Sequence, residues 1–107
     1  MGHGIIRRPF GYGELSLKRI HQRIFRLSDR IEQIEREEAI VTAELDFHRS
    51  INDDAQRDAA VGNYIDREEA GLTAADVRRF ERTLKDLGEK RGRLERKRDL
   101  LLSRVLD

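Results

Sequence analysis

The fold of this chain is decided between Leu17 and Ile34, where the sequence reads LKRIHQRIFRLSDRIEQI. Its apolar residues recur at alternating steps of three and four, which is the heptad pattern of a helix with one apolar seam. Continued toward the C-terminus, the same steps reach polar residues such as His48 and Asn52. The pattern therefore predicts a long helix over residues 14 to 52, whose seam becomes polar toward its C-terminal end.

A second heptad seam predicts a helix over residues 73 to 106. Thr73 and Asp76 have the spacing of a capping box, which marks a helix start. Arginines take two positions of this seam where leucine would be expected. The seam comprises Val77, Phe80, Leu84, Leu87, Arg91, Leu94, Arg98, Leu101 and Val105.

The remaining segments are an N-terminal arm and a connection between the helices. Residues 1 to 12 contain three glycines and the only proline, which favours a flexible arm that is disordered, folds on a partner or folds over the base of the hairpin. Residues 53 to 72 have helical composition with a weak point at Gly62-Asn63, and we predict a short helical tip segment there. Residues 13 to 107 thus form one domain.

Two helices with one apolar stripe each are expected to fold back on each other. The predicted fold is all-α, a long antiparallel helical hairpin of the coiled-coil type. Pairing residues whose numbers sum to about 122 places Leu27 by Leu94 and Leu45 by Val77, and this register aligns apolar layers. Each helix covers only one side of the other, so a homodimeric four-helix bundle, or docking of a different protein, would bury what remains.

Composition limits the compartment and the chemistry. Of the 107 residues, 37% are hydrophobic and 40% charged, and the absence of cysteine excludes disulfides and thiolate metal sites. No apolar window is long enough for a membrane span, so we expect a cytoplasmic protein without membrane contact. Charge is divided along the chain: residues 1 to 30 carry +5, residues 31 to 76 carry −9 and residues 77 to 107 carry +5.

No catalytic or metal-binding constellation is visible in the sequence. His3, His21 and His48 are scattered, and no carboxylate and histidine set has the spacing of metal ligands. His48, at a seam position, is expected to be a residue that packs or extends to solvent, and not a metal ligand. We therefore expect a protein that is not an enzyme and has no metal.

The second helix carries a basic run, KDLGEKRGRLERKRD, that could bind an anion. Arg91 and Arg98 either extend to solvent along their aliphatic stems or wait for an anionic ligand. Arg91 could also reach Glu35 in the register given above. Interleaved acidic residues such as Glu89 make nucleic acid an unlikely partner.

The spacing of Gly88, Arg91, Glu95 and Asp99 resembles the helix signature of RsiG-type anti-sigma factors. In that signature three residues separate Glu from Ser, two separate Ser from Arg, three separate Arg from Gln, and three separate Gln from Asp. Arg91 and Asp99 are the residues that the signature has at these positions, whereas Leu84, Gly88 and Glu95 replace Glu, Ser and Gln. The resemblance covers about sixteen residues. It implies a sigma factor as the partner and cyclic di-GMP bound by these residues. Arg98, which is not part of the signature, is a further candidate for binding an anionic ligand.

Acidic residues in the connection are candidates for partner binding. Asp53 and Asp54 either cap a helix and face solvent, or present carboxylates to a partner, as the acidic hairpin tips that enter the secondary channel of RNA polymerase do. Apolar residues outside the seams are further candidates for a partner or homodimer face, and so are two aromatic residues of the arm. These candidates are Phe25, Ile40, Phe47, Leu100 and Leu102, with Phe10 and Tyr12 in the arm.

Two functions are compatible with these features. The first is a non-catalytic regulatory or adaptor protein that binds a partner protein, in transcription if the resemblance holds. The second is a self-assembling, homodimeric structural coiled coil without a small ligand.

Overall fold

The computed structural model describes the backbone of residues 3 to 106 and the side chains of residues 16 to 106. It contains two helices, α1 (His3–Val61) and α2 (Tyr64–Leu106), and no strand within the described backbone. The all-α helical hairpin predicted from the two heptad seams is therefore confirmed.

The hairpin divides into two compact units, and in each a segment of α1 packs against a segment of α2. Unit 1 comprises Met1–Gln33 and Arg91–Asp107, and unit 2 comprises Ile34–Lys90. Burial within the described residues follows the predicted seams, with Ala70 as the exception. The buried apolar residues are Ile31 and Leu101 in unit 1, and Ile34, Leu45, Ala70 and Val77 in unit 2.

The turn between the helices is closed by Asn63, the N-cap residue of α2. Its Oδ1 accepts hydrogen bonds from the backbone N–H groups of Ile65 at 3.0 Å and Asp66 at 3.2 Å. The backbone N–H of Asn63 donates in return to Asp66 Oδ2 at 3.3 Å, which completes a capping box. A Cβ on the preceding Gly62 would lie 2.5 Å from the carbonyl oxygen of Asp58, so this position requires glycine.

The structure corrects the predicted tip segment. α1 continues to Val61 and α2 begins at Tyr64, so residues 53 to 72 belong to the two helices and do not form a separate element. The prediction ended the first helix nine residues too early, at residue 52. It began the second helix nine residues too late, at residue 73.

The predicted capping box at Thr73 is also wrong, because Thr73 lies inside α2. Its hydroxyl is 3.1 Å from the carbonyl oxygen of Ala70, one turn earlier. Asn63 and Asp66 have the same spacing as Thr73 and Asp76, so the local sequence offers two equivalent helix starts. The start at Asn63 is used, which lets α1 and α2 pack along the intervening residues.

A polar bridge connects the helices in unit 2. The hydroxyl of Thr73 lies 3.0 Å from Asn52 Oδ1, and Gln56 Nε2 donates to the carbonyl oxygen of Ala70 at 3.0 Å and to Asn52 Oδ1 at 3.0 Å. These bonds satisfy polar groups that would otherwise be costly to place between helices. They explain why the seam of α1 is polar here.

The register in unit 2 differs from the predicted one by about one helical turn. A hairpin's register is set by its turn, and a turn centred between Gly62 and Asn63 places residues opposite each other when their numbers sum to about 125. The observed contacts have sums from 125 to 128 instead of 122. They join Asn52 to Thr73, Gln56 to Ala70, and His48 to Phe80.

The start of α1 also differs from the prediction. The helix begins at His3 and not at residue 14, so most of the predicted arm over residues 1 to 12 has helical backbone. Glycine lowers helix propensity without forbidding a helix. The side chains of residues 1 to 15, Phe10 and Tyr12 among them, lie outside the described part, and their proposed role in partner binding stays a prediction.

Candidate functional site

Unit 2 exposes seven large apolar side chains, and we call four of them, Ile40, Phe47, Ile51 and Leu72, the docking stripe. Ile40, Phe47 and Ile51 follow one another on α1 at steps of seven and four, which places them on one face of the helix. Leu72 of α2 borders the same groove as Ile51. Ile40, Phe47 and Leu72 are 62 to 66% exposed and Ile51 is 38% exposed. Such a row of exposed apolar residues is typical of a protein-binding surface.

The groove beside Ile51 and Leu72 has an acidic rim. Asp54, Asp58 and Glu69 line it, with Ala55 and Thr73. Asp54 also pairs with Arg57 on the same helix. The surface therefore suits a partner segment that combines apolar side chains with basic ones.

Stacked rings hold the middle of the docking stripe in place. The ring of His48 stacks on Phe80 of α2, with centroids 4.7 Å apart and planes at 28°. Phe47 meets the same imidazole edge-on at 5.7 Å, and the guanidinium of Arg79 lies 5.5 Å from the centre of the Phe80 ring. His48 is thus a packed residue, which is one of the two predicted alternatives. A fixed neighbour reduces the entropy that Phe47 would lose on binding.

The two units have opposite charges. Unit 1 contains thirteen basic and six acidic residues, a net charge of +7, whereas unit 2 contains nine basic and fifteen acidic residues, a net charge of −6. In unit 1, an open groove beside Leu27 is lined by Arg23, Arg26 and Lys97. Unit 1 is therefore suited to an anionic surface.

Most residues of the anti-sigma-like signature lie on α2 in unit 1, where two of them pair with each other. Arg91 Nη1 donates to Glu95 Oε1 at 2.7 Å, one turn along α2, and both side chains are about one-third exposed. Asp99 is mostly exposed, with Oδ1 3.9 Å from Arg98 Nε. That Nε is buried and has no hydrogen-bond partner among the described residues. Gly88 belongs to unit 2, and a Cβ there would lie 3.8 Å from Glu38 Oε2.

The predicted partner-binding residues fall into both units. Phe25, Leu100 and Leu102 are exposed in unit 1, whereas Phe47, Asp53 and Asp54 are exposed in unit 2. Of these, Phe47 and Asp54 are part of the docking stripe and its acidic rim. Sequence reasoning did not single out Ile51 and Leu72. The seven- and four-residue steps from Ile40 identify Ile51, but Leu72 was assigned to the connection, where no helix face could be given to it.

The described residues also bear on metal binding and on membrane insertion. No three or more His, Asp and Glu side chains are grouped there closely enough to hold a metal ion. None of the described helical segments combines the length and the apolar character needed to cross a membrane. Comparisons with protein-family models, with curated proteins and with solved structures find no match to this chain.

Proposed function

We propose that this chain is a non-catalytic regulatory or adaptor protein that binds a partner protein through the docking stripe of unit 2. The observation that carries the proposal is the exposure of Ile40, Phe47, Ile51 and Leu72 in a chain with few apolar residues. Ile51 and Leu72 line one groove, and Ile40 and Phe47 continue the row on α1. Each such side chain, when covered, contributes about 1.5 to 3 kcal/mol. Covering this row with a partner would therefore contribute favourably to the free energy of binding.

The chemistry of the partner follows from the rim of the groove. Asp54, Asp58 and Glu69 surround the apolar centre, so a helix with apolar residues on one face and arginine or lysine on its flanks would be complementary. The charges would orient the partner and accelerate its association, while the apolar side chains would supply most of the affinity.

A role in transcription is a narrower form of the same proposal. Its support is the anti-sigma-like spacing in α2 together with the exposed Asp53 and Asp54, which would face a sigma factor or RNA polymerase. Cyclic di-GMP has weaker support. The Glu95 carboxylate already binds Arg91, and a phosphate would have to displace it.

Photo-crosslinking tests the proposal directly in the native cell. The photoreactive residue p-benzoylphenylalanine is introduced at position 47, in place of Phe47, in the full chain. We expect illumination to produce a discrete crosslinked adduct, and mass spectrometry identifies the attached protein. Binding is then repeated with the purified pair, and the variant Phe47→Ala should reduce affinity at least tenfold.

The matched control places the same photoreactive residue at position 49. Arg49 lies on α1 in unit 2 and its side chain is 53% exposed. It is two residues from Phe47, which places it on the opposite face of the helix from the docking stripe. Adducts of equal yield at both positions would indicate random collisions. Absence of an adduct at position 47 contradicts the proposal.

A further inference from the structure

We propose that the docking stripe of unit 2 is occupied by the basic face of unit 1 from a second copy of this chain, with the two α1 helices antiparallel. The inference rests on the proposed function and names the partner. It is argued from charge, from the spacing of residues on α1 and from the chemistry of the acidic groove.

Unit 1 carries a row of arginines on one face of α1, which we call the basic stripe. Arg19, Arg23, Arg26 and Arg30 follow at steps of four, three and four, and a helix places such residues in one line. Arg23 and Arg26 also line the groove that contains Leu27. The long aliphatic stems of arginine can cover apolar surface while the guanidinium groups reach acidic residues.

Unit 2 carries the complementary row on its own part of α1. Phe47, Ile51, Asp54 and Asp58 also follow at steps of four, three and four, and the last three line the acidic groove. Asp54 and Asp58 are exposed. The row is apolar at its N-terminal end and acidic at its C-terminal end.

Antiparallel alignment brings the two rows into register. When Arg19 of one copy lies opposite Asp58 of the other, the equal spacings put Arg23 opposite Asp54. The same alignment puts Arg26 beside Ile51 and Arg30 beside Phe47, where a guanidinium can pack on an aromatic ring. Asp54 would share its carboxylate between Arg57 of its own helix and Arg23 of the second copy.

The charges favour an antiparallel orientation of the two α1 helices and a second copy of this chain as the partner. Parallel α1 helices in the same register would bring Arg19 and Arg23 against their own copies, and like charges in an interface are strongly unfavourable. The antiparallel alignment sets unit 1, at +7, against unit 2, at −6. A second copy therefore provides the basic and partly apolar surface that the acidic groove requires.

Symmetry allows the contact to be made twice. The alternation of three and four continues in the sequence from Arg30 through Gln33 and Glu37 to Ile40. A two-fold axis that pairs Arg19 with Asp58 therefore pairs Asp58 with Arg19 as well, and the assembly closes as a dimer.

Complementary charge reversal tests this proposal with the full chain. Sedimentation equilibrium at 5 to 200 µM is expected to give twice the chain mass of 12.5 kDa for the unaltered protein. The variants Arg19→Glu/Arg23→Glu and Asp54→Arg/Asp58→Arg should each weaken self-association by about a hundredfold, because four opposite-charge pairs in the dimer become like-charge pairs. An equimolar mixture of the two should recover the dimer mass, since every pair is then complementary again.

The control variant Lys18→Glu/Arg96→Glu makes the same change of charge in unit 1 at two exposed positions outside the basic stripe. It should associate like the unaltered protein, and circular dichroism at 222 nm should show equal helix content in all four proteins. A monomeric unaltered chain at 200 µM, or a mixture that stays monomeric, overturns the antiparallel dimer. If crosslinking from position 47 then attaches a different protein, the proposed function stands and only the identity of the partner is wrong.

Discussion

Unit 2 and unit 1 are both built from α1 packed on α2, yet different interactions hold them. Unit 2 has four buried apolar side chains, the polar bridge around Asn52 and Thr73, and the stack of His48 on Phe80. Unit 1 has two buried apolar side chains among the described residues, and its seam includes Arg91 and Arg98. The heptad pattern is the same in both units, but the residues that occupy the seam positions differ.

The difference shows that a heptad seam specifies pairing without specifying how firmly the pair is fixed. Directional bonds such as that from Gln56 to the carbonyl oxygen of Ala70 are lost if the helices slide by a turn, and they therefore favour one register. Charged seam residues contribute less, because their burial is opposed by desolvation. Unit 2 is expected to be the better-defined part of the hairpin.

The largest effect is expected from substituting two leucines that are equally buried, one in each unit. Leu45 in unit 2 and Leu101 in unit 1 are both 3% exposed. We expect Leu45→Ala to lower the free energy of unfolding by about 4 kcal/mol and Leu101→Ala by about 2 kcal/mol, because a fixed register leaves the cavity open whereas a looser unit relaxes around it. Urea unfolding at one protein concentration measures both. Equal losses would mean that the units are equally rigid.

A smaller effect is expected at the turn that sets the register of unit 2. Asn63→Ala removes the acceptor for two backbone N–H groups of α2 and should lower the free energy of unfolding by about 1 kcal/mol. Asn63→Asp keeps an acceptor and serves as the control, which should lose less than half as much in the same thermal or urea unfolding experiment. A loss that is equal in both variants would show that the cap does not depend on the side-chain oxygen.

An effect of similar size but opposite sign is expected in unit 1. Arg98→Leu replaces a buried Nε that lacks a hydrogen-bond partner among the described residues, and we expect a gain of about 1 kcal/mol in stability. Arg104→Leu, at an exposed position of the same helix, should give no gain. If Arg98→Leu is destabilising, the guanidinium stabilises unit 1 and the contrast between the units is smaller than described.

The sequence predicted the hairpin because its periodicity extends over many turns and no short-range feature competes with it. The register could not be predicted in the same way. Two sets of residues with helix-start spacing, at Asn63 and at Thr73, compete within ten residues, and packing of the whole hairpin selects between them. A change in the position of the turn changes which residues face each other, so the predicted pairs are displaced along the whole of unit 2.

The candidate site was predicted in part for the same reason. Phe47 was identified because it departs from the seam of α1, and its exposure does not depend on the register. Leu72 could not be placed until α2 was known to begin at Tyr64. Arg91 donates to Glu95 within α2, a partner that was not predicted, because a residue one turn away is close in any register. The predicted approach of Arg91 to Glu35 across the hairpin stays a prediction.

The position of the turn also has a consequence for the order in which the chain folds. The bond from Gln56 to Ala70 closes a loop of 14 residues and that from Asn52 to Thr73 a loop of 21, whereas Leu27 and Lys97 line one groove from opposite ends of the sequence. Short loops close at a lower entropic cost than long ones. Folding should therefore begin at the turn, and contacts between α1 and α2 should form in the order of their distance from it. Unit 1 would then be the last part to fold and the first to unfold.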